Sequence, residues 1–403
     1  MQLRHLELEQ FRAYRKLDLP IDTAGLRLRG ANASGKSSLL EAIVMLATTR
    51  SPRSGSEREI IRRGSGEDYG LPPFARIRAV IERREDSVEI EIGLQVDARR
   101  PSLSRKTIRL NGRPVRSIDA VGQLKAVLFS PEDVALVSGS PSARRRYLDL
   151  MVAQLDPAYL RALSRYSRVL EHRNSLLKAL QRDRVDPRGP VASGQLTFWD
   201  EELLLHGCVI MAGRFHSIRR LSHLARDQYR RLSGGDLTVA YLPSLGIVEM
   251  ADRSLDEPAE LLATVRRDFV RALEERRTEE VRRGVTVVGP HRDDMEFVAD
   301  GMDLGVYGSR GQQRLAVVAL KLAETALMTE IAGEAPVLLL DDVLSELDLS
   351  HRRQLEEVAT GIAAQAIVTG TDASEWTGSV LARLPGAHLR DGAVVPDSEA
   401  GSE

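Results

Sequence analysis

Four residues near the start of the chain have the types and the spacing to hold a phosphate group. Gly30, Gly35, Lys36 and Ser37 follow the pattern Gly-x-x-x-x-Gly-Lys-Ser. Glycines at these places let the backbone curl until successive N–H groups point at an anion. The lysine would reach the β- and γ-phosphates of a nucleotide, and the serine hydroxyl would bind Mg²⁺. The same predicted nucleotide-binding loop contains Ala31, Asn32, Ala33 and Ser34.

The segments on either side of this loop distinguish it from a chance glycine turn. An alternating run at 26–29 predicts a strand before it, and an apolar run at 38–46 predicts a helix after it. A strand, a glycine loop and a helix in this order are the context that a phosphate loop needs. The helix would also add its positive amino-terminal end to the site.

A second segment, VLLLDD, ends in the carboxylates that such a site requires. Residues 337–340 are apolar throughout, which is typical of a strand buried on both faces. In phosphate-loop ATPases an aspartate at the end of this kind of strand binds Mg²⁺. Asp341 fits that role, and Asp342 can polarise the attacking water. We therefore predict Lys36, Asp341 and Asp342 as catalytic residues. Ser37 and Asp341 are the predicted metal ligands, and ATP and Mg²⁺ are the predicted cofactors.

A third segment, SRGQQ at 309–313, places small residues directly before a long helix with an apolar stripe. Backbone N–H groups at a helix start bind anions, although an ordinary glycine cap has a similar pattern. A chain with its own phosphate loop needs no second anion site, so the simplest use is to bind the γ-phosphate held by another copy. We predict that Ser309, Gly311 and Gln312 make this contact.

The composition is that of a soluble globular protein, with 403 residues of which 42% are hydrophobic and 29% are charged. The net charge is −1, so a nucleic-acid binder would need local basic patches. The single cysteine, Cys208, excludes an intrachain disulfide. The amino-terminal segment has no signal-peptide core, and no apolar run approaches the length of a membrane span. We therefore expect a cytoplasmic protein without a membrane partner.

Changes in periodicity along the chain predict its domains. Alternating residues at 76–110 predict antiparallel strands, with a hairpin turn at Asn111-Gly112. From Pro141 leucines recur at helical spacing, residues 185–194 have a linker composition, and strand signals return at 284–288. The predicted domains are a first head segment (1–140), a mostly helical insertion (141–283), a second head segment (284–395) and a disordered acidic tail (396–403).

Five motifs in a fixed order make the chain similar to a known family. They are GANASGKSSLLEAI, FSPEDVALVSGSPSARRRYLD, VGPHRDDMEF, GSRGQQRLAVVALKLAE and LLLDDVLSELD, and together they extend over nearly the whole chain. The chain resembles the RecF family of bacterial recombination mediators, whose ATP-binding-cassette head is of the SMC kind. The resemblance implies an α/β fold with a phosphate-loop ATPase head, a mixed sheet, and an α-helical second domain inserted between the Walker A and signature motifs.

The resemblance also implies roles for the motifs. Gly30 to Ser37 would be the Walker A loop, Asp341 and Asp342 the Walker B pair, Ser309 to Gln313 the signature motif, and Ser345 to Asp348 the D-loop. It implies an ATP-dependent homodimer, weak DNA-stimulated ATP hydrolysis, and binding to double-stranded DNA and single-strand/duplex junctions. It further implies work with RecR and RecO in loading RecA at gaps, in DNA replication, DNA repair and the SOS response.

Three residues depart from the family pattern. Ala33 stands where the family usually has glycine, which makes the loop less permissive. Arg310 stands where glutamine is common, so its contacts are open. Asp342 stands where cassette ATPases generally carry glutamate, and its shorter side chain is expected to slow hydrolysis.

Two elements of other cassettes have no clear counterpart. The segment FSPEDVALVSG contains no glutamine for a Q-loop, and Glu132 and Asp133 are the nearby candidates, without an assigned role. Thr369 or Thr371 falls where other cassettes place a switch histidine.

Two arginine clusters and one mixed motif have alternative interpretations. Residues 50–63 contain five arginines among glutamates, which fits either a solvated loop or a contact to DNA phosphate or nucleotide. Arg144, Arg145 and Arg146 oppose the dipole of a helix start, so they need solvent, internal ion pairs, or a nucleotide, Walker-motif or DNA contact. The motif HRDD at 291–294 indicates a structural turn or a coupling role rather than a metal site.

Three other functions compete with the recombination mediator. A transporter's nucleotide-binding subunit shares the Walker and signature motifs, but here a helical insertion separates them and the signature carries Arg310-Gly311 instead of two glycines. A DNA clamp that binds ATP without hydrolysing it is compatible with Asp342. An SMC-type repair ATPase acting without RecR and RecO is disfavoured because the chain lacks a long heptad array.

Overall fold

The structure, a computed structural model, describes residues 1–67, 70–97, 104–246, 258–344, 352–353, 355–356, 361, 363–372, 376, 379–390 and 392–397. The strands are β1 (Gln2–Phe11), β2 (Tyr14–Pro20), β3 (Gly25–Arg29), β4 (Phe74–Glu82), β5 (Ser87–Val96), β6 (Ser104–Leu110), β7 (Arg113–Val115), β8 (Ala126–Phe129), β9 (Leu237–Leu242), β10 (Asp294–Ala299), β11 (Met302–Asp303), β12 (Val337–Asp341), β13 (Gln365–Gly370), β14 (Gly386–Arg390) and β15 (Ala393–Pro396). The α-helices are α1 (Lys36–Thr48), α2 (Ser117–Ala120), α3 (Ala135–Ser138), α4 (Pro141–Leu155), α5 (Pro157–Arg182), α6 (Pro190–Ser233), α7 (Pro258–Arg283) and α8 (Arg310–Ala332). Within the described ranges, no helix combines the length and the apolar character needed to cross a membrane.

Alternating apolar and charged residues form an antiparallel sheet in the amino-terminal part of the chain. Its strand order is β2-β1-β4-β5-β6-β7. Leu8 lies opposite Ile77 on the inner face, and both side chains are at most 1% exposed. The hairpin between β6 and β7 turns at Asn111 and Gly112, whose φ angles of 48° and 75° suit a type I′ turn. The hairpin predicted at this dipeptide is therefore confirmed.

A second, mixed sheet has the strand order β15-β14-β3-β13-β12-β8. Its strands are parallel neighbours except for β15, which pairs antiparallel with β14. All five residues of β12 are buried, as the continuous apolar run predicts. Helix α1 buries Leu39, Ile43 and Leu46 in the same hydrophobic core as both sheets. This core holds the phosphate loop between β3 and α1.

The chain divides into two compact units, each built from separate segments. The first unit contains Met1–Val134, Asp227–Gly234 and Arg314–Glu403, and the second contains Ala135–Arg226 and Gly235–Gln313. Residues 284–313 thus belong to the second unit, whereas the sequence analysis assigned them to the head. The cause is pairing within that unit, since β10 lies along β9 and Asp294 binds Arg144 of α4 through both carboxylate oxygens, at 2.5 and 2.9 Å.

The second unit consists of helices α3 to α7, most of α6 included, and a three-stranded sheet in the order β11-β10-β9. The linker predicted at 185–194 ends earlier than expected, because Pro190 begins α6 at a position that proline favours. The strand predicted at 284–288 is wrong. Thr286 instead donates its N–H to the Asn174 side chain at 2.8 Å, so a side-chain oxygen takes the place of the backbone carbonyl of a neighbouring strand.

The end of the chain also differs from the prediction. Pro396 completes β15, and Asp397 accepts a hydrogen bond from Arg29 at 3.1 Å. The first two residues of the predicted disordered tail are therefore part of the fold. The remaining tail, 398–403, and the predicted D-loop, Ser345 to Asp348, lie outside the described residues.

Candidate nucleotide-binding site

The predicted phosphate loop lies where parallel strands of the mixed sheet end. β3 pairs with β13 so that Arg29 lies opposite Gly370, and Gly30 donates its N–H to the Gly370 carbonyl at 3.3 Å. β13 pairs in turn with β12, with Thr369 opposite Asp341. Ligands of open α/β sheets bind at the carboxyl ends of strands. The topology therefore brings the loop and the end of β12 to one edge.

The loop contains two residues in the left-handed region of backbone conformation. Gly35, the N-cap of α1, has a φ of 116°, which glycine adopts without steric cost. Ala33 has a φ of 63°, and this conformation costs a residue with a Cβ roughly 1–2 kcal/mol. A Cβ on Gly30 would lie 2.9 Å from the Leu389 carbonyl oxygen, too close for any other residue. Ala33, which stands where the family usually has glycine, therefore adopts a backbone conformation that glycine would adopt without strain.

The start of α1 is open to an anion. The helix has no side-chain cap at Gly35 and no acidic residue in its first turn, and the N–H groups of its first two residues have no acceptor within the helix. Lys36 is 7% exposed, and its Nζ donates to the carbonyls of Gly30 and Ala31 at 2.6 and 3.1 Å. The ammonium group thus lies over the loop, and the loop combines a positive helix end with a positive side chain.

Asp341 is the carboxylate at this edge, and it is 2% exposed. Its Oδ1 accepts hydrogen bonds from the Ser37 hydroxyl at 2.9 Å and from the Thr369 hydroxyl at 3.0 Å. The two predicted metal ligands, Ser37 and Asp341, are therefore in direct contact. A hydroxyl and a carboxylate are oxygen ligands of the kind that Mg²⁺ prefers. Thr369, one of the two candidate threonines, contacts this carboxylate.

Arg53 is a part of the site that the sequence analysis missed. Its guanidinium donates to Asp341 Oδ2 at 2.9 Å and lies 3.4 Å from Glu132 Oε1. The arginine-rich segment at 50–63, which includes Arg53, was predicted as a solvated loop or as a contact to DNA phosphate or nucleotide, and not as a neighbour of Asp341. Nothing in the spacing of the five arginines singles out Arg53, because its partner is 288 positions away.

Asp342 follows β12 in a strained conformation, with a φ of 55°. Its N–H donates to the Thr369 hydroxyl at 3.1 Å, so the same hydroxyl contacts both predicted Walker B aspartates. Its side chain is neither fully buried nor fully exposed. The backbone of Asp342 is therefore held next to Asp341 by the Thr369 hydroxyl.

The two candidates for the missing Q-loop residue have different surroundings. Glu132 is 66% exposed and faces Arg53. Asp133 accepts the Ser130 N–H at 2.7 Å and lies 3.9 Å from Lys321 Nζ on α8. Burial raises the pKa of Asp133, while the Lys321 charge opposes that shift. Glu132 thus lies beside Arg53, whereas Asp133 accepts a backbone hydrogen bond in its own turn.

The signature residues form a capping box at the start of α8. Ser309 donates its N–H to Gln312 Oε1 at 2.9 Å, and Gln312 donates its N–H to Ser309 Oγ at 3.3 Å. The helix start is therefore capped by a serine and a glutamine, and Gly311 follows the cap as an exposed residue. These residues belong to the second unit, whereas the phosphate loop and Asp341 belong to the first.

The arginine triplet and the HRDD motif are joined in the second unit. Arg144 binds Asp294, and Arg145 donates to the Asp293 carbonyl at 2.7 Å. Asp293 is 1% exposed; it accepts the Ser244 N–H at 2.8 Å and the Tyr241 hydroxyl. Of the interpretations left open, internal ion pairs for Arg144 and a structural turn for the motif agree with these contacts.

His291 of the same motif is held as a neutral ring. Its Nε2 lies 3.1 Å from the Thr286 carbonyl, which can only accept, so Nδ1 accepts the Tyr166 hydroxyl at 2.8 Å. Burial lowers the pKa of His291 to about 4. Among the described residues, no group of three or more histidine, cysteine or acidic side chains could hold a metal ion by itself.

Comparison with known proteins identifies the family. The sequence matches the RecF/RecN/SMC N-terminal domain over residues 2–380. It is 45% identical to the DNA replication and repair protein RecF of Thermomicrobium roseum, over 98% of this chain and 100% of that protein. The chain belongs to the RecF family. RecF of Chloroflexus aggregans is 44% identical, over 97% of this chain and 99% of its own length. The family of DNA replication and repair proteins that the motifs indicated is confirmed.

Solved structures agree with this assignment. A RecF structure described as the recombination mediator protein RecF-ATPrS in the RecFOR pathway has a TM-score of 0.82 at 30% identity, with 98% of each chain covered. An SMC head bound to the C-winged helix domain of ScpA has a TM-score of 0.52 at 16% identity, over 98% of this chain and 97% of that one. The RecF and SMC similarities together confirm the ATP-binding-cassette, SMC-like ATPase head.

Proposed function

We propose that this chain is an ATP-dependent, DNA-binding recombination mediator. Two copies bind ATP, assemble head to tail, and hold duplex DNA and single-strand/duplex junctions at the nucleoid. The dimer hydrolyses ATP slowly, with stimulation by DNA, and helps RecO and RecR to load RecA at gaps. The observation that carries this proposal is the contact between Ser37 and Asp341 at 2.9 Å beside the Lys36 loop. That contact occurs in a chain similar over its whole length to a RecF structure with ATP named in its description.

The residues present fit ATP and Mg²⁺. The uncapped start of α1 and the Lys36 ammonium would hold the phosphates, because both are positive and face the loop. Ser37 and Asp341 would hold Mg²⁺, which neutralises phosphate charge when bound. Asp342 would orient the attacking water. Its side chain is one methylene shorter than glutamate, which supports slow turnover.

The signature residues support a composite site made by two copies. Ser309, Gly311 and Gln312 lie at the start of a 23-residue helix, whose N–H groups and dipole suit an anion. The capping box fixes Ser309 and Gln312 against each other, so the helix start is preformed. We propose that this helix start binds the γ-phosphate on the other copy. Loss of that phosphate by hydrolysis would then release the dimer.

Turnover and sedimentation measured together test this proposal. We expect the protein to be largely monomeric without nucleotide and dimeric with ATP, with turnover that rises when gapped duplex is added. Ser309→Arg should keep ATP binding by the monomer and lose dimerisation and turnover. Mixing Ser309→Arg with Lys36→Ala should restore part of the turnover, because the intact phosphate loop of the first variant then meets the intact helix start of the second in one composite site. A mixture that forms heterodimers and recovers no activity would contradict the head-to-tail arrangement. Dimerisation without turnover would favour an ATP-binding clamp, which the short Asp342 side chain also permits.

A further inference from the structure

Helix α6 of the second unit has two apolar faces, and the structure covers one of them. The covered face contains Leu196 and Leu203, which are both 0% exposed. The other face, about half a turn away, contains Val191, Phe198 and Leu205, which are 54%, 58% and 54% exposed. These three residues are seven positions apart, the spacing with which one helix packs along another. The exposed face therefore has the form of a helix-packing surface.

Helix α5 runs antiparallel to α6 and carries a row of basic side chains. The His172 ring stacks on Trp199 with 5.3 Å between the ring centroids, and Arg214 Nε donates to the Tyr159 hydroxyl at 3.1 Å, so the end of α5 lies beside the start of α6. Four exposed basic residues follow one side of α5 at helical intervals, namely Arg161, Arg165, Arg168 and His172. We call this row, together with the exposed apolar face of α6, the α5–α6 face.

The basic row lies on the side of α5 that adjoins α6. Burial lowers the pKa of His206 on α6, Glu202 opposes that shift, and the Arg165 charge adds to it. His172 lies on the same side, since its ring stacks on Trp199 of α6. The positive charges therefore border the apolar face along one of its flanks.

The arginines of this row are available to a ligand. Arg161, Arg165 and Arg168 form no ion pair among the residues that the structure describes, and Arg168 donates to the Ser164 carbonyl at 3.4 Å. Glu202, at the boundary of the two helices, lies 3.5 Å from a histidine of its own helix. Guanidinium groups without an internal partner give up no ion pair when they bind a carboxylate. The α5–α6 face thus combines an apolar stripe with a positive flank.

We propose that the α5–α6 face binds an amphipathic helix of a partner protein, with acidic residues along one flank of that helix. Its apolar side chains would pack on Phe198 and Leu205, and its carboxylates would bind the three arginines of the row. Duplex DNA fits this face less well, because its phosphates would satisfy the arginines and leave the apolar stripe in water. Antiparallel pairing with a second copy is disfavoured, because the two basic rows would lie on the same side and repel each other.

Fluorescence anisotropy with a designed peptide tests the positive flank. The probe is a labelled helical peptide of about three heptads, with leucines along one face and glutamates along the flank. The full chain should bind this probe without nucleotide, and Arg165→Glu should weaken the binding roughly tenfold or more, because it places like charges together. Lys178→Glu is the matched control, since it makes the same change of charge at an exposed position on another side of α5, and it should leave the affinity unchanged.

The apolar stripe has a separate test with the same probe. Phe198→Ser removes the most exposed side chain of the stripe and should weaken the binding roughly tenfold. Leu71→Ser changes a leucine of the first unit that is 52% exposed, and it should have no effect on the binding. Circular dichroism of each variant separates a loss of binding from a loss of fold.

Four results would overturn the inference. They are failure of the glutamate peptide to bind, and equal affinity for a peptide with lysine in place of glutamate. The third is loss of duplex DNA binding in Arg165→Glu together with displacement of the peptide by a short duplex, which would make the face a nucleic-acid contact. The fourth is loss of the ATP-dependent dimer in Phe198→Ser, measured by sedimentation, which would make a second copy the occupant. Failure of the peptide to bind leaves the proposed function intact, because ATP turnover and dimerisation are measured without it.

Discussion

Arginine and carboxylate side chains meet in both units of the molecule, with different degrees of enclosure. In the second unit Arg173 is 1% exposed and binds Asp200, Thr286 Oγ1 and Glu280 at 2.9, 2.8 and 2.6 Å. In the first unit Arg53 is 35% exposed and binds Asp341, which also accepts two hydroxyl hydrogen bonds. Both clusters bury a carboxylate against a guanidinium. Only in the cluster of the first unit is the arginine partly exposed to solvent.

This difference distinguishes an ion pair that maintains the fold from one at the proposed nucleotide-binding site. Removing one member of an enclosed pair leaves a buried charge without compensation, which costs about 3–5 kcal/mol. Asp341 keeps two hydroxyl donors if Arg53 leaves, and Arg53 can be hydrated. Burial of a carboxylate therefore does not by itself indicate function. A partly exposed arginine partner, which a ligand can replace, is the better indication of a binding site. The following variants test that distinction.

The largest effect should come from Arg173→Ala. The change leaves Glu280 buried without its guanidinium partner, while Asp200 keeps Arg277 at 2.9 Å, so we expect the free energy of unfolding to fall by about 3 kcal/mol. Chemical denaturation followed by circular dichroism measures this loss. Arg182→Ala is a matched control on the same helix, because Arg182 is 77% exposed and pairs only with its neighbour Asp183 among the described contacts. Equal stability of the two variants would contradict the enclosed-pair interpretation.

Asp341→Asn should greatly reduce turnover and change stability little, which is the reverse of what we expect for Arg173→Ala. The amide keeps the shape of the side chain and loses its charge, so Mg²⁺-dependent turnover should fall roughly a hundredfold or more, about 2.7 kcal/mol in activation free energy. Thermal stability should change little. Glu132→Gln is the matched control, because Glu132 is 66% exposed and lies 3.4 Å from Arg53, and it should lose much less activity. Turnover of Asp341→Asn near the wild-type rate would refute the Walker B assignment.

The site could be predicted from the sequence where its parts are local. Gly30 to Ser37 is a loop with its own glycines, and the apolar run before Asp341 reports a buried parallel strand, so both positions follow from short segments. The edge at which they meet follows from parallel topology. Arg53 could not be predicted, because a long, flexible side chain in a charged loop has many possible partners and tertiary packing selects one.

The fold was predictable to a similar extent. Alternation predicted the antiparallel strands, and leucine spacing predicted the helices of the second unit. The strand at 284–288 was wrong because Thr286 finds its hydrogen-bond partners among the side chains of Arg173 and Asn174. A short apolar run does not specify whether its backbone will form hydrogen bonds with another strand or with side chains. For the same reason, β10 pairs with β9, and residues 284–313 group with the second unit.

A smaller effect should come from pH and should be confined to the second unit. His291 has a pKa lowered to about 4 by burial, so between about pH 6.5 and pH 4 the unfolded chain binds more protons at this ring than the folded protein. The free energy of unfolding should therefore fall as the pH falls through this window, by about 2 kcal/mol for a partly exposed ring. His291→Gln removes the titration and should flatten this part of the profile, measured by urea denaturation at each pH. The exposed His223→Gln should leave the profile as it is; an unchanged profile in His291→Gln would show that another group titrates.

The smallest change in stability should come from Arg53→Ala, and it tests the comparison most directly. Arg53 is partly exposed, and Asp341 retains the hydroxyls of Ser37 and Thr369, so the free energy of unfolding should fall by less than about 1 kcal/mol. The Asp341 carboxylate would then lack its internal cation, so Mg²⁺ should raise the melting temperature of the variant more than that of the wild type. Arg50→Ala, in the same segment, should alter neither quantity. A loss as large as that of Arg173→Ala, or an unchanged response to Mg²⁺, would mean that Arg53 is a structural partner of Asp341 like the enclosed arginines of the second unit.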